Sequence, residues 1–574
     1  MARARHPHVT RAKQYARDVV AGRILACQWV RLACRRFLED LKRSRSKAFP
    51  YKFDLGKAER ACQFAELLPH VKGHWAHPKP GDPGAVLIKL EPWQAFVRSN
   101  LYGWVTKGTA LRRFQTAYQE IPRKNAKSTG AAIDGLYFLA ADGEIGAEVY
   151  SGAVTEKQAW ETFRPARLMA ERTPAFLEQY GVTVNASNLA VLSTGSRFEP
   201  IIGKPGDGSS PSLAIVDEYH EHPDSVLYET METGMGARQQ PLLLVITTAG
   251  DNIGGPCYAL REQVCRMLDG SQPNDRLFGI IYTIDEKDDW TTVDALQKAN
   301  PNYDVSVSGN WLQAQQRDAI ASSRKQNVFK RKHLNVWTSA REAWLNMEWW
   351  HRQGDATLQA AAFKGSPCYA GLDLGSKLDL TAAVRVFRVL TPGDTEPHFY
   401  VFGRYYAPRA TVEDPKNAHL QGWAHDLYLT ATEGEVTDYT RIRQDLLDDA
   451  AAHGLEAVAG DPWGAGQLLQ ELTAEGLLAI EIPQNVKNLS EPMKWVEALV
   501  KAGRLHHDAN PCLAWMVSNV TCREDPNENI FPRKDRPENK IDGAVALIMA
   551  LGRAMLADAA APVSIYEERG LDAF

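Results

Sequence analysis

Between Tyr15 and Arg43 the apolar positions recur at three- and four-residue intervals (YARDVVAGRILACQWVRLACRRFLEDLKR), which predicts amphipathic helices. The turn-rich HPKPGDPG at 77–84 closes that region, so residues 1–85 read as a helical N-terminal accessory subdomain. From about 90 to 340 the pattern changes. Short apolar runs of strand length (AEVYSGAV, SLAIVDE, LLLVITTAG) alternate with helical stretches such as TEKQAWETFRPARLMAERT. That alternation predicts a mostly parallel α/β sheet over 86–345. A second α/β block opens at YAGLDLG (369–375), continues through TAAVRVF, HFYVFGRYY and EAVAGD, and closes on the helical IDGAVALIMALGRAM. Residues 367–556 are read as a separate domain, 346–366 as an aromatic-rich linker and 557–574 as a tail; internal repeats are not found.

Length agrees with this division, because 574 residues exceed what one hydrophobic core usually supports. With 44% hydrophobic and 24% charged residues the composition is that of an ordinary globular protein. The net charge of −4 gives no long-range field toward nucleic acid, so any DNA surface must be local. Residues 1–47 are the most lopsided stretch, with thirteen basic side chains against Asp18, Glu39 and Asp40. A solvated helix face and a surface for DNA or a partner both fit them. The eight cysteines form no CxxC pair, which points to a reduced, intracellular protein. Apolar runs are too short to span a bilayer, and the Arg-rich start lacks a signal-peptide core, so no membrane association is expected.

The chemistry begins at EIPRKNAKSTGAA (120–132), between a strand (FQTAYQE) and a helix of small residues. In a phosphate-binding loop, backbone N–H groups and a helix N-terminus cradle the phosphates. A Lys reaches the β- and γ-phosphates and a hydroxyl ligates Mg²⁺. Lys127 and Ser128 fit the last two roles, and Arg123, Lys124, Asn125, Ala126 and Thr129 complete the candidate cradle. Ile121 and Ala126 stand where the G-x-x-x-x-G-K-[ST] pattern has glycine, and Ala126 brings a Cβ to a place of close backbone approach. Downstream, Leu213 to Val216 run into Asp217 and Glu218, a buried strand ending in two carboxylates. There Asp217 can hold the Mg²⁺ shell and Glu218 can polarise water. LLLVITTAG ends in Thr247, Thr248 and Gly250, suited to sensing a γ-phosphate, and Gln94 offers an amide able to pair with an adenine edge.

In the second block Asp373 interrupts an apolar strand, which is costly unless the charge is paired or bound to a cation. Asp461 ends the strand EAVAGD and Asp542 opens the last helix. Singly, Asp461 could start a turn and Asp542 could answer the helix dipole. Together they form a hard-oxygen set suited to Mg²⁺ or Mn²⁺ for phosphodiester cleavage. Asp379 is a candidate fourth carboxylate or a local cap. The hairpin-like NVTCREDPNENIFPRKDRPENKIDG carries Arg523, Arg533, Lys534 and Lys540, either as DNA-backbone contacts or as an ordinary charged loop.

The series RKNAKST, LAIVDEYHE, LLLVITTAG, WTTVDALQKANPN, HLNVWTS, YAGLDLGSKLDLTAA, AGDPWGAG and KIDGAVALIMAL resembles, in order, the terminase large subunit of tailed bacteriophages and prophages. The resemblance implies an α/β architecture in two parts. The first is an N-terminal P-loop ATPase domain with a mostly parallel sheet of the additional-strand type; the second is a C-terminal ribonuclease H-like mixed-sheet nuclease domain. It implies Lys127 and Ser128 as phosphate-loop residues, Asp217 and Glu218 as metal and catalytic carboxylates, Thr247 to Gly250 as a coupling motif, and Asp373, Asp461 and Asp542 as the nuclease triad. Arg123 matches the family's loop arginine, with action in cis or in trans open and Arg164 as a rival. ATP, Mg²⁺ (or Mn²⁺) at both sites, double-stranded DNA, a portal protein, a small terminase subunit and a procapsid follow as implied partners. So does a homo-oligomeric ring, a pentamer, working in the cytoplasm of the infected host, transiently on the portal and absent from the mature virion. Two rivals stay in view: an ATP-regulated repair or recombination nuclease, and a non-hydrolysing DNA-binding docking protein. The carboxylates at 217, 218, 373, 461 and 542 speak against the latter.

Overall fold

A computed structural model describes residues 5–76, 86–202, 208–338, 344–375, 380–391, 393–414, 417–525, 528–534 and 539–559. Two compact units emerge, one of Met1–Ala321 with Val328–Thr338, the other of Ser322–Asn327 with Ser339–Phe574. Among the described residues no helix is long and apolar enough to cross a membrane.

In the first unit β1 (Tyr51–Phe53) and β2 (Trp104–Thr106) pair as a small antiparallel ribbon. Eight further strands form the main sheet: β3 (Thr116–Glu120), β4 (Glu148–Ala153), β5 (Val182–Val184), β6 (Leu189–Val191), β7 (Ser196–Ile202), β8 (Leu213–Asp217), β9 (Leu242–Thr247) and β10 (Leu277–Ile281). Their order is β10-β3-β9-β8-β4-β7-β6-β5, parallel from β10 to β7 and antiparallel beyond. Between β3, which leads into the phosphate-loop candidate, and β8, which ends in Asp217, lies β9: the sheet is of the additional-strand type. Both β8 and β9 are buried at every position, and a strand covered on both faces has no reason to alternate, hence the unbroken apolar runs.

The two-residue period of β9 divides its burial between two layers. Leu242, Leu244 and Ile246 share a core with Ile133 and Leu136, while Leu243 and Val245 pack with Leu260 and Val264 on the other side. The first of these cores also takes in the N-terminal helices α1 (Pro7–Val20), α2 (Gln28–Arg43), α3 (Leu55–Glu66) and α4 (Pro92–Gly103), through Ala12, Val30, Phe37, Cys62 and Phe96. Part of the N-terminal basicity is spent inward. Arg31 pairs with Asp285 at 3.2 Å, and Arg36 donates to the carbonyls of Leu277 and Asn274, each at 2.7 Å. On α2, Asp40 meets the fully buried guanidinium of Arg113 at 2.7 Å. A buried charge is tolerable only when so paired, and Asp275 (2.6 Å) completes the pairing.

The second unit is built on a seven-stranded mixed sheet of β11 (Cys368–Leu374), β12 (Thr381–Val389), β13 (His398–Pro408), β14 (Thr430–Thr432), β15 (Leu455–Gly460), β16 (Ala479–Glu481) and β17 (Leu505–His507). Its order is β14-β13-β12-β11-β15-β16, with β17 also on β13. Strands β11, β12 and β13 are antiparallel, whereas β15 and β16 continue parallel to β11, the ribonuclease H-like arrangement. The hairpin expected from the sequence forms as β18 (Val520–Glu524) and β19 (Ile530–Lys534). A closing helix, Asp542–Ala559, lies directly on β11: a Cβ at Gly371 would come within 1.9 Å of the Ala546 carbonyl oxygen. Only glycine permits that approach.

Candidate functional site

The loop between β3 and α5 (Lys127–Ala140) is tight because Lys124 (φ 69°) and Ala126 (φ 63°, ψ 25°) both take the left-handed conformation. Such reversals turn backbone N–H groups toward a common centre, here at the N-terminus of α5. Ala126 adopts the backbone that glycine would, at a cost of about 1–2 kcal/mol.

Asn125 holds the loop from behind. Fully buried, it donates from Nδ2 to Asn300 Oδ1 (2.9 Å) and accepts at Oδ1 from the Asn302 N–H (2.9 Å). Asn302 in turn accepts from the Trp93 indole at 2.7 Å, Ser306 Oγ donates to the Lys124 carbonyl at 2.7 Å, and the Arg123 N–H reaches the Lys332 carbonyl at 3.1 Å. Sequence reasoning gave Asn300 and Asn302 no role, for an Asn-Pro-Asn run reads as a turn.

Lys127 is buried, with Nζ donating to the Ile121 carbonyl at 2.5 Å. Burial lowers its pKa, opposed by the charges of Glu218 and Asp217, so the ammonium and both carboxylates share one neighbourhood. Ser128 and Thr129 are half-buried in the first turn of α5. Asp217 is 2% exposed; its Oδ2 accepts from Thr162 Oγ1 at 2.6 Å while its Oδ1 is buried without a hydrogen-bond partner among the described residues. Burial, and then the Glu218 charge, push its pKa up to about 6. An unpartnered buried carboxylate oxygen within the field of a lysine suits a hard cation and its water shell. Thr162, on α6 (Glu156–Glu171), carries no sequence signature and was missed.

Glu218 takes the left-handed conformation (φ 46°, ψ 50°), a strain that clusters at functional positions. Thr247 and Thr248 are buried at the end of β9, and the Thr247 carbonyl accepts from the Ile121 N–H at 3.0 Å, joining that strand end to the loop. Behind them sits Glu120, another residue the sequence did not single out. It is fully buried and accepts from Tyr118 (2.5 Å), Asn335 Nδ2 (3.3 Å) and Trp337 Nε1 (3.2 Å). Asn335 also accepts from the Ala249 N–H (2.7 Å) and donates to the Tyr282 carbonyl (2.8 Å), tying together the ends of β3, β9 and β10.

Gln94 acts close to home, where its Oε1 accepts from the Glu91 N–H at 2.9 Å in a capping box that starts α4. Arg123 is half-buried in the loop, whereas Arg164 is exposed on α6 with its guanidinium 5.9 Å from the Trp160 ring centre.

In the second unit the register of β11 with β15 pairs Leu372 with Gly460, so Asp373 and Asp461 follow from adjacent strands. Asp461 is the N-cap residue of the helix Pro462–Ala474. On β11, Gly371 and Asp373 face the same side, toward the closing helix; on that helix Asp542 precedes Ala546 by about one turn, as helical periodicity requires of a shared face. The electrostatics agree. Burial, then the charge of Asp542 and, more weakly, that of Asp461 hold the Asp373 carboxyl well above its ordinary range, against the Gln484 amide (2.8 Å) and Lys534. Among the described residues no three His, Cys, Asp or Glu side chains are gathered tightly enough to hold a metal ion as they stand. A buried carboxylate repelled by two others, all of them oxygen donors, is nonetheless what a divalent cation relieves. Gln484, on the loop after β16, had no sequence signal. Arg533 and Lys534 are exposed on β19 and Lys540 precedes the closing helix; the side chain of Arg523, and Asp379, lie outside the described residues.

Comparison with known proteins gives both units a family. The terminase large subunit ATPase domain matches residues 92–266, and the terminase large subunit endonuclease domain matches residues 272–558. Protein YmfN of Escherichia coli (strain K12) is 48% identical over 364 residues, covering 61% of this chain and 79% of that protein. The terminase large subunit of Enterobacteria phage HK97 is 26% identical over 450 residues, covering 76% and 86%. The crystal structure of the HK97 bacteriophage large terminase aligns with a TM-score of 0.41 at 24% identity, over 87% of this chain and 99% of that one. With one domain family matched in each part of the polypeptide, the chain belongs to the terminase large subunits and is both an ATPase and an endonuclease.

Proposed function

We propose that residues 86–345 hydrolyse ATP to drive double-stranded viral DNA into a procapsid, and that residues 367–556 cut concatemeric DNA to begin and end packaging. The observation that carries this reading is the gathering of Lys127, Asp217 and Glu218 across the inserted strand β9, in one chain with a buried Asp373 that feels the charges of both Asp542 and Asp461.

In the motor, the backbone of Arg123 to Thr129 and the N-terminus of α5 receive the triphosphate. Lys127 leaves the Ile121 carbonyl to reach the β- and γ-phosphates. Glu218 orients the attacking water, Thr248 senses the γ-phosphate, and Arg123 supplies positive charge to the developing phosphate charge. Gln94 still offers its Nε2 donor to the base. Ser128 and Asp217 would hold the nucleotide's cation, and Asp373, Asp461 and Asp542 those of the nuclease; Mg²⁺ or Mn²⁺ there supplies Lewis acidity and an activated water when bound. Arg533 and Lys534 steady the DNA backbone beside the carboxylates. The same reading supplies the partners: a portal protein on which a ring of five subunits assembles, and a small terminase subunit that selects DNA in the host cytoplasm.

Purified full-length protein tests both halves at once. Lys127→Ala should lower ATP turnover by about a hundred-fold or more, in line with loss of a group that stabilises transition-state charge, and leave plasmid cleavage intact. Asp373→Asn should abolish cleavage in Mg²⁺ or Mn²⁺ and spare ATPase activity. Plasmid linearised by Asp373→Asn at the wild-type rate would remove the nuclease assignment.

A further inference from the structure

Immediately after Glu218 the chain makes a short 3₁₀ turn, Tyr219–Glu221, and His220 in it points back under the end of β9. Its backbone N–H donates to Thr247 Oγ1 at 3.1 Å, and its ring Nδ1 lies 3.0 Å from the same hydroxyl. Thr247 Oγ1 donates its own proton to the Thr248 carbonyl at 3.0 Å. With that proton directed at the carbonyl the hydroxyl accepts from Nδ1–H, and in the other tautomer it donates to Nδ1 instead. Glu218 Oε2 lies 3.3 Å from that same Nδ1, an ion-pair distance without hydrogen-bond geometry, while Nε2 stands 3.4 Å from Thr248 Oγ1 and 3.3 Å from Glu221 Oε1. The ring has no freedom to swing away. Its side chain is 8% exposed, and Gly250 is packed so closely that an added Cβ would come within 3.0 Å of both His220 Cβ and Trp337 Cζ3.

One imidazole therefore touches the carboxylate at the end of β8 and both threonines at the end of β9. We propose that His220 is a positioning residue that fixes the Glu218 carboxylate relative to Thr247 and Thr248, so that the water-orienting group and the γ-phosphate-sensing strand end move as one. The proposal rests on the reading of Glu218 as the water-orienting residue. A strained, left-handed Glu218 needs an external hold, because a loosely placed carboxylate is a poor base even at the right pKa. Glu218 has its backbone set by the turn and its side chain confined by the imidazole at ion-pair distance; removal of the ring releases the second constraint and keeps the first.

The test compares His220→Ala, His220→Asn and Glu218→Gln in the full-length chain. Asn places an amide nitrogen near the position of Nδ1, so it can restore the donor without the ring. His220→Ala should lower kcat for ATP by roughly ten- to a hundred-fold, the effect of sub-ångström misplacement of a reacting group, with KM and ATPγS affinity changed less than about two-fold. His220→Asn should recover most of that loss. Wild-type turnover in His220→Ala overturns the proposal, and so does an equal fall in both His220 variants accompanied by a lower Tm and weaker ATPγS binding, the mark of a merely structural role. Wild-type turnover in Glu218→Gln instead removes the reading of Glu218 on which the proposal stands, whatever His220 does.

Discussion

Ala126 shows how much a single backbone angle asks of one side chain. At φ 63° it sits where an L-residue is strained by about 1–2 kcal/mol, yet the methyl group is small enough to be accommodated. Two substitutions separate strain from bulk. Ala126→Gly removes the Cβ and should keep ATP affinity at or above the wild-type level; stability should change by less than about 1 kcal/mol, since relief of strain is offset by the greater freedom of glycine in the unfolded chain. Ala126→Val brings a β-branched side chain into a conformation it rarely adopts, and should weaken nucleotide binding at least ten-fold. Nucleotide titrations and thermal unfolding of the two variants check this, and equal affinity in both would mean that the left-handed turn does not shape the phosphate cradle. Lys127 and the Asp217–Glu218 pair were legible because a lysine before a hydroxyl, and acids at the end of an apolar run, are unusual in a buried setting. Asn300 and Asn302 were not, since their hydrogen bonds to Asn125 join segments far apart in sequence and each alone looks like a turn residue.

At the scale of elements, burial on both faces explains what could be read and what could not. Strands β8, β9, β11 and β15 announce themselves as apolar runs because sheet and helices cover them, whereas the three-residue β5, β6, β14, β16 and β17 are too short to carry a period. The order β10-β3-β9-β8 was beyond any local pattern: it is fixed by crossover connections, and it came to the sequence reading only through family resemblance. The grouping of Asp373 with Asp542 was readable from their places on a strand and at a helix start, but their separation was not, because it depends on how close the closing helix comes to β11. Gly371 sets that distance. Gly371→Ala would drive a methyl group into the Ala546 carbonyl, and the helix must shift outward, taking Asp542 with it. The expected result is a second unit destabilised by about 1–3 kcal/mol or more, with plasmid cleavage lost and ATP hydrolysis by the first unit retained. Cleavage at the wild-type rate would show that Asp542 need not stand where this contact puts it.

For the whole molecule, two units with separate cores carry two buried carboxylates that resist ionisation, Asp217 in one and Asp373 in the other. The sign of the consequence is opposite to the familiar salt-bridged aspartate. A carboxyl whose pKa is raised on folding binds its proton more tightly in the fold than in the unfolded chain, so it favours the fold fully below the ordinary carboxylate pKa and loses that advantage as pH rises through the folded value. For Asp217 the window runs from the ordinary aspartate value of about 3.9 up to about 6, and the loss is on the order of 3 kcal/mol. In calorimetry of the full chain in EDTA, the transition of the first unit should therefore move to lower temperature between about pH 4 and pH 6, and that of the second should likewise fall as pH rises. Cations binding to the ionised carboxylates of the fold should reverse the trend by mass action. Mn²⁺ alone should raise the transition of the second unit, and Mg²⁺ with ATPγS that of the first. Asp373→Asn keeps the shape of the side chain without the charge. In EDTA at pH 8 it should raise the second transition by about 2–4 °C for each kcal/mol of repulsion removed, and it should erase most of the response to Mn²⁺ while leaving the response to Mg²⁺ and ATPγS unchanged. A Mn²⁺ shift that survives in Asp373→Asn would place the stabilising cation away from the three carboxylates. A shift that vanishes in both transitions together would mean that the units do not unfold independently.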